Sequence, residues 1–504
     1  MNKVYLLGAG PGDPGLLTLK ARDILAAADT VVYDYLASPG LLRHCPEDAE
    51  LIYVGKKGGE HTMGQSDINA LLVEKAGSGR CVARLKGGDP YVFGRGAEEA
   101  EDLVAAGIDF EIVPGVTSAV AAPAYAGIPL THRMYSSSVT FITGHEDPSK
   151  EQSAHNWAAL AGSASTLVFF MGVKNLASIT ANLVQAKMDE ATPAALVRWG
   201  TTCRQQTLTG TVADIGAKAR DAGFRAPALL IVGHVVGLRD TLTWFEHKTL
   251  LGKGVVVTRA REQASALLQL LDEYGACCYQ FPTIAISPLE DIGAIEESVD
   301  RLASYDWCIF TSVNGVKHFW SVLEAKGLDS RALGRAKVGA IGPATAKALQ
   351  NKGINPDVVP DKYVAESVID SLAQEGIEGK RVLIPRAEKA REVLPQELVR
   401  AGAQVDVVPV YRTGLAEQSG EDILQAMQDG HIHYVTFTSS STVDNFFQLI
   451  PPEKLQPYVP KQVKLACIGP ITAKTLRGYG FVAHIQPEEY TIPALAQALV
   501  EDAG

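Results

Sequence analysis

The run Arg84-Leu85-Lys86-Gly87-Gly88-Asp89-Pro90-Tyr91-Val92-Phe93-Gly94-Arg95-Gly96 follows a short apolar stretch and leads into a helical one, Ala97 to Ala106. Two glycines, an acid and a proline cannot prolong a strand's ladder. Glycine opens torsions barred to other residues, and Pro90 lacks an amide donor. Bare turns at the carboxyl ends of strands are where open α/β sheets hold small ligands. Gly87-Gly88-Asp89 is therefore either one wall of a cofactor pocket or an ordinary strand-to-helix turn. Asp34 and Lys56 also stand at strand ends, after Val31-Val32-Tyr33 and Leu51-Ile52-Tyr53-Val54. They suit an acid/base pair at a cleft, or else a capping Asp and a solvated Lys. Thr117 and Ser118 follow Val113-Pro114-Gly115-Val116 and open a small-residue helix, Ala119 to Ala126, which they cap unless they touch a ligand.

The elements that must position these residues alternate strand and helix. Val4-Tyr5-Leu6-Leu7 is a first strand, and Leu16 to Ala28 and Gln65 to Ala76 have helical spacing. The loop Gly8 to Gly15 imitates a dinucleotide fingerprint, but Asp13 stands where its third glycine belongs, and Pro11 and Pro14 would spoil the amide cradle. NAD and FAD are discounted on that ground. A second α/β lobe begins at Ser138, with later strands at Thr166 to Met171, Ala195 to Val197 and Pro227 to Gly233.

The whole chain has 504 residues, 46% hydrophobic and 20% charged. At about 150 residues per domain, three or four domains are expected. A net charge of −11 argues against a nucleic-acid partner and leaves polyanions to local cations and backbone amides. Seven scattered cysteines form no metal-ligand spacing, so no metal is expected. With neither a signal peptide nor an apolar run of membrane-spanning length, the chain reads as a reduced, soluble, cytoplasmic protein.

Beyond residues 246–253, read as a linker, the sequence repeats itself. Thr258-Arg259-Ala260 recurs as Pro385-Arg386-Ala387 (385 − 258 = 127). Phe310-Thr311-Ser312 recurs as Phe437-Thr438-Ser439, and Ile341-Gly342-Pro343 as Ile468-Gly469-Pro470, at the same step. One constant offset means two copies of an α/β unit, each expected to be a parallel sheet flanked by helices. Their strand ends carry hydroxyls and free amides at helix N-termini, which either cap the helices or bind an anion.

Five features in order resemble the uroporphyrinogen-III C-methyltransferase family over about residues 1–245: the Gly8–Gly15 loop, Tyr33-Asp34-Tyr35-Leu36, Gly55-Lys56-Lys57-Gly58, Arg84–Gly96, and Val113–Ser118 running on to Pro129-Leu130-Thr131. The resemblance implies two α/β lobes (about 1–134 and 135–245) with S-adenosylmethionine between them, in a homodimer. By position it implies cofactor contacts at Pro11, Gly87, Gly88, Asp89, Val92, Thr117, Ser118, Met171, Gly200 and Ala228, with Asp34 as proton acceptor and Lys56 as proton donor. The chain starts directly at this region, so no dehydrogenase or chelatase activity is expected.

Val257-Thr258-Arg259, Thr311-Ser312, Ile384-Pro385-Arg386, Val410-Tyr411-Arg412-Thr413 and Ile468-Gly469-Pro470 resemble uroporphyrinogen-III synthase over about 250–504. That implies a discontinuous lobe (254–284 with 412–504) around a second (285–411), and a reaction that cyclises hydroxymethylbilane. Tyr411 matches a tyrosine proposed to assist the leaving group; its alternative is a core or hinge role. Arg259, Thr311, Ser312, Arg386, Thr438, Ser439 and Gly469 are the candidate substrate contacts. The combined expectation is a bifunctional α/β enzyme of tetrapyrrole biosynthesis, in the sirohaem or cobalamin branch. The alternative is an active methyltransferase fused to a non-catalytic sensor module.

Overall fold

This computed structural model describes residues 3–55, 63–144, 155–163, 165–259, 265–360, 376–390 and 392–504. The chain divides into two compact units: Met1–Gly254 with Gln269–Cys278 and Val500–Gly504, and Val255–Leu268 with Tyr279–Leu499.

Five parallel strands make the first sheet: β1 (Lys3–Gly8), β2 (Thr30–Tyr33), β3 (Glu50–Tyr53), β4 (Cys81–Lys86) and β5 (Asp109–Val113), in the order β3-β2-β4-β1-β5. Parallel neighbours need crossover connections, and the helices Leu19–Leu25, Gln65–Gly77 and Gly96–Ala105 supply three of them. Such a sheet is covered on both faces, which is why Val4, Leu6 and Leu7 of β1 are all fully buried. Because β4 lies beside β1, the loops that follow both strands leave the sheet side by side.

The second sheet contains β6 (Val139–Thr143), β7 (Thr166–Phe170), β8 (Pro193–Arg198), β9 (Gln206–Thr211) and β10 (Ala228–Val232), ordered β6-β7-β10-β8-β9. It is mixed, since β10 runs antiparallel to β7 and β8, and β8 antiparallel to β9. Sequence patterning missed β9. Gln-Thr-Leu-Thr-Gly-Thr has a single large apolar residue, and an edge strand paired on one side needs little more.

The rest of the strands are β11 (Gly254–Val257), β12 (Cys277–Gln280), β13 (Ile284–Ser287), β14 (Trp307–Phe310), β15 (Lys337–Ala340), β16 (Arg381–Ala387), β17 (Gln404–Leu415), β18 (Tyr434–Phe437) and β19 (Lys464–Cys467). The repeat survives at their starts: β11 to β16 is 381 − 254 = 127, and β12 to β17, β14 to β18 and β15 to β19 keep that step. The expectation that each copy forms its own sheet is corrected. The sheets are β12-β11-β18-β19 and β13-β17-β16-β14-β15, so each unites the opening of one copy with the close of the other. Equivalent strands present equivalent edges, so the exchange leaves the order unchanged, β12-β11-β18-β19 matching β17-β16-β14-β15.

Two further expectations are corrected. The stretch read as a linker is packed: Leu250 and, just before the stretch, Phe245 are buried, and Glu246 accepts hydrogen bonds from Gln205 (2.8 Å) and Thr207 (2.6 Å). Its Thr, His, Lys and Gly content masked those two apolar anchors. Nor are all thiols reduced, because Cys203 is bonded to Cys277, both in the first unit.

Candidate active sites

In the first unit, glycine lets three backbones meet. A Cβ on Gly115 would lie 2.3 Å from the Gly88 carbonyl oxygen and 2.6 Å from the Gly8 Cα, and one on Gly8 would lie 2.4 Å from Gly115. No side chain fits at either position. Gly88, at φ +71°, exchanges backbone hydrogen bonds with Gly10 (2.7 and 3.2 Å), which ties the two loops together. A Cβ built on Gly88 would lie 3.8 Å from Ser118 N and 3.9 Å from Thr117 Cα, so bare backbone there faces the start of the helix Ser118–Tyr125. Thr117 caps that helix, accepting from Ala119 N. Asp89 spans the turn: Oδ1 accepts from Tyr91 N (2.8 Å) and Oδ2 from Gly115 N (3.0 Å). Val92 is half-buried beyond Pro90.

The second sheet presents its own residues to this end. Gly12, next to Pro11, would place a Cβ 2.5 Å from Thr202, and Asp13 N donates to Thr201 Oγ1 (3.1 Å). Asp13 also accepts from the Tyr125 hydroxyl (2.7 Å), and this bond, after burial, pushes that hydroxyl's pKa up. Gly200 packs on Ala122, where a Cβ would come within 2.3 Å of that side chain. Ala228 is in register with Arg198, two residues before Gly200, and Met171 extends β7 beside it by the same antiparallel register. Met171 is half-exposed and adopts φ 54°, a left-handed conformation uncommon for a side chain of its size. Together with Tyr91, Phe93, Arg95, Glu98 and Thr143 it lines a surface hollow.

Asp34 sits at the end of β2, its Oδ1 accepting from Leu36 N (3.1 Å) and its Oδ2 from Arg84 Nη2 (3.3 Å). Lys56 lies outside the described residues. Sequence reasoning missed what stands behind Asp34. Arg84 and Lys86 turn inward from β4 onto the fully buried Glu99 of the helix Gly96–Ala105. The available signal was two cations at i and i+2, on one face of a strand in the middle of a parallel sheet.

In the second unit the candidates fall at the carboxyl ends of two sheets. Ser312 caps the helix Val313–Ala325, accepting from Gly315 N (3.0 Å), and its Oγ lies 3.1 Å from the Tyr411 hydroxyl. His318, on that helix and unremarked in the sequence, stacks on the Tyr411 ring with centroids 5.4 Å apart. Thr311 precedes this group. Arg386, a candidate substrate contact, is buried and ion-paired with Glu392. On the other sheet, Ser439 and Thr442 form a reciprocal cap (3.2 Å each way) on the helix Ser440–Leu449, preceded by Thr438. Gly469 caps Pro470–Gly478, and burial lowers the pKa of Arg259. Tyr411 and Ser312 are thus brought into contact, whereas Thr438, Ser439 and Gly469 belong to a separate set of strand ends.

Among the described residues, no group of His, Cys, Asp and Glu could hold a metal, and no helix is long and apolar enough to cross a membrane.

Two family models match. Residues 3–216 fit one described as Tetrapyrrole (Corrin/Porphyrin) Methylases, and residues 265–497 fit one described as Uroporphyrinogen-III synthase HemD. The porphyrin biosynthesis protein HemD of Ruminiclostridium josui is 37% identical over 99% of this chain and 98% of its own length. The S-adenosyl-L-methionine-dependent uroporphyrinogen III methyltransferase of Methanosarcina barkeri is 54% identical, over 48% of this chain and 94% of that one. A crystal structure of uroporphyrin-III C-methyl transferase from Thermus thermophilus, complexed with S-adenyl homocysteine, is 37% identical over 47% of this chain and 99% of that one, with a TM-score of 0.41.

Proposed function

The chain belongs to the family of porphyrin biosynthesis proteins that fuse a tetrapyrrole methylase to a uroporphyrinogen-III synthase, and from that premise we propose that it runs two consecutive reactions. The second half cyclises hydroxymethylbilane to uroporphyrinogen III, with loss of water and inversion of ring D. The first half methylates that product at C2 and C7 to give precorrin-2. The enzyme works in the cytoplasm as a homodimer through its methylating half.

S-adenosylmethionine supplies the methyl group as an electrophilic sulfonium. Gly87, Gly88 and Asp89 form one wall of its pocket, and Pro11, Val92, Thr117, Ser118, Met171, Gly200 and Ala228 the remainder. A pyrrole carbon that has gained a methyl group leaves the macrocycle cationic until a proton departs. Asp34 accepts that proton, and Lys56 acts as proton donor. In the second half, Arg259, Thr311, Ser312, Arg386, Thr438, Ser439 and Gly469 hold the carboxylates of the open chain. Each helix N-terminus contributes about 0.3–1 kcal/mol toward an anion, so several must act together. The Tyr411 hydroxyl gives its proton to the departing hydroxide, which leaves as water. The rest is positioning of a flexible chain.

The observation that supports this reading is the open side of Gly88, where an added Cβ would meet nothing nearer than Ser118 N (3.8 Å), on a turn that the close packing of Gly8 and Gly115 holds in place. Calorimetric titration of the full chain with S-adenosylhomocysteine tests it. We expect binding that Asp89→Ala or Gly115→Ala removes; unchanged affinity in both variants would take this loop out of the pocket.

A further inference from the structure

Behind Asp34 stands a buried charge cluster that no step above uses. Glu99 is fully buried, and Arg84 and Lys86 are nearly so. One carboxylate oxygen, Glu99 Oε1, accepts from Lys86 Nζ (2.6 Å), Gln65 Nε2 (3.1 Å) and Arg84 Nε (3.2 Å). Among the described residues the other oxygen, Oε2, has no partner. Burial, and then the neighbouring Arg84, push the Lys86 ammonium below the ordinary lysine range. Buried ion pairs of this kind stabilise a fold no better than apolar residues of similar volume, and a buried acceptor without a donor destabilises it. Stability therefore does not account for the cluster.

Its geometry has one outlet. Glu99 anchors the Arg84 Nε, and Nη1 donates to the carbonyls of Leu85 (3.1 Å) and Val32 (3.4 Å). With those positions taken, Nη2 is directed at Asp34 Oδ2, whose carboxylate is 27% exposed at the end of β2. A planar guanidinium held at three nitrogens fixes the orientation of the acid it meets, which a flexible ammonium does not. We propose that Arg84, anchored by Glu99, is the positioning residue that holds Asp34 in the attitude needed to take the proton from the methylated macrocycle. This rests on the reading of Asp34 as proton acceptor and adds the residues through which that acid is set.

A double-mutant cycle in the full-length enzyme tests both, with methylation of uroporphyrinogen III as readout and S-adenosylhomocysteine affinity and Tm as controls. Removing a general base costs about 10²–10⁴-fold, so Asp34→Asn is expected to lower kcat by that order. Arg84→Met is expected to lower kcat by about 10²-fold, the scale of a misplaced catalytic group, with KM and cofactor affinity unchanged. Arg84→Lys should recover only part of that loss, and Glu99→Gln should reproduce about a tenfold loss. Arg84→Met added to Asp34→Asn should slow the enzyme no further, because one residue acts through the other. Losses that multiply in the double variant, or wild-type kcat in Arg84→Met, would overturn the positioning role. Wild-type kcat in Asp34→Asn would instead overturn the proton-acceptor reading, so the two failures are distinguishable. Should Arg84→Met not fold, Arg84→Lys takes its place in the cycle, with a lowered kcat at constant KM expected and an unchanged kcat contradictory.

Discussion

The two copies of the repeat share a step of 127 residues and a strand order, yet their strand ends are furnished differently. One end gathers Ser312, His318 and Tyr411: a capping hydroxyl, a phenol in contact with it and a stacked imidazole. One repeat away, the corresponding positions are Ser439, Asn445 and Ile284. Ser439 still caps its helix, while Asn445 donates to the Thr283 carbonyl (3.0 Å). The cap is therefore common property of the unit, and the phenol–imidazole pair is not, since the equivalent positions hold Ile284 on a strand and Asn445 on a helix. A buried phenol needs a hydrogen-bond partner whatever its role, so the Ser312 contact alone decides nothing; the distinguishing feature is that the phenol and imidazole are stacked at one end only. The difference favours chemistry over packing as the reason for Tyr411, and assigns the serines to helix capping first.

The sharpest way to break this asymmetry is Tyr411→Phe. It keeps the ring against His318 and removes the hydroxyl, and we expect formation of the type III isomer to slow by about 10²-fold, the lower end for a lost general acid. Unchanged turnover by product chromatography would return Tyr411 to the core. The arginines offer a second contrast. Arg386→Ala breaks an ion pair on its buried side, so stability should fall by about 2 kcal/mol, readable as a lowered Tm. Arg259→Ala should shift Tm less and raise KM for hydroxymethylbilane; equal Tm losses would erase the distinction. The smallest effect is that of the caps. Ser312→Ala and Ser439→Ala should each cost about 1 kcal/mol in denaturant unfolding, with turnover more affected by Ser312→Ala because it also touches Tyr411. Equal turnover losses would mean that the two ends act alike.

Legibility in the sequence followed the kind of physics involved. The Gly87-Gly88-Asp89 turn, the capping hydroxyls and the repeat step were all readable, because glycine, proline and capping residues act locally and a fixed offset survives any arrangement in space. What depended on tertiary pairing was hidden. Arg84 and Lys86 look like strand-end cations until Glu99, on the helix that follows, is seen to pair with both inside the core. The repeat alone is silent on the exchange of strands between copies, because its equivalent edges are interchangeable, and only the family resemblance implied a discontinuous lobe. The edge strand Gln206–Thr211, the anchors Phe245 and Leu250, and the Cys203–Cys277 bond each depend on a partner that spacing alone does not reveal.

The central claim is that one chain closes the macrocycle and then methylates it. Mass spectrometry of the products formed from hydroxymethylbilane and S-adenosylmethionine by the full-length protein tests this most directly. We predict a type III macrocycle carrying two added methyl groups. A type I macrocycle without methyl groups, formed at the rate of the enzyme-free control, would contradict both halves of the account.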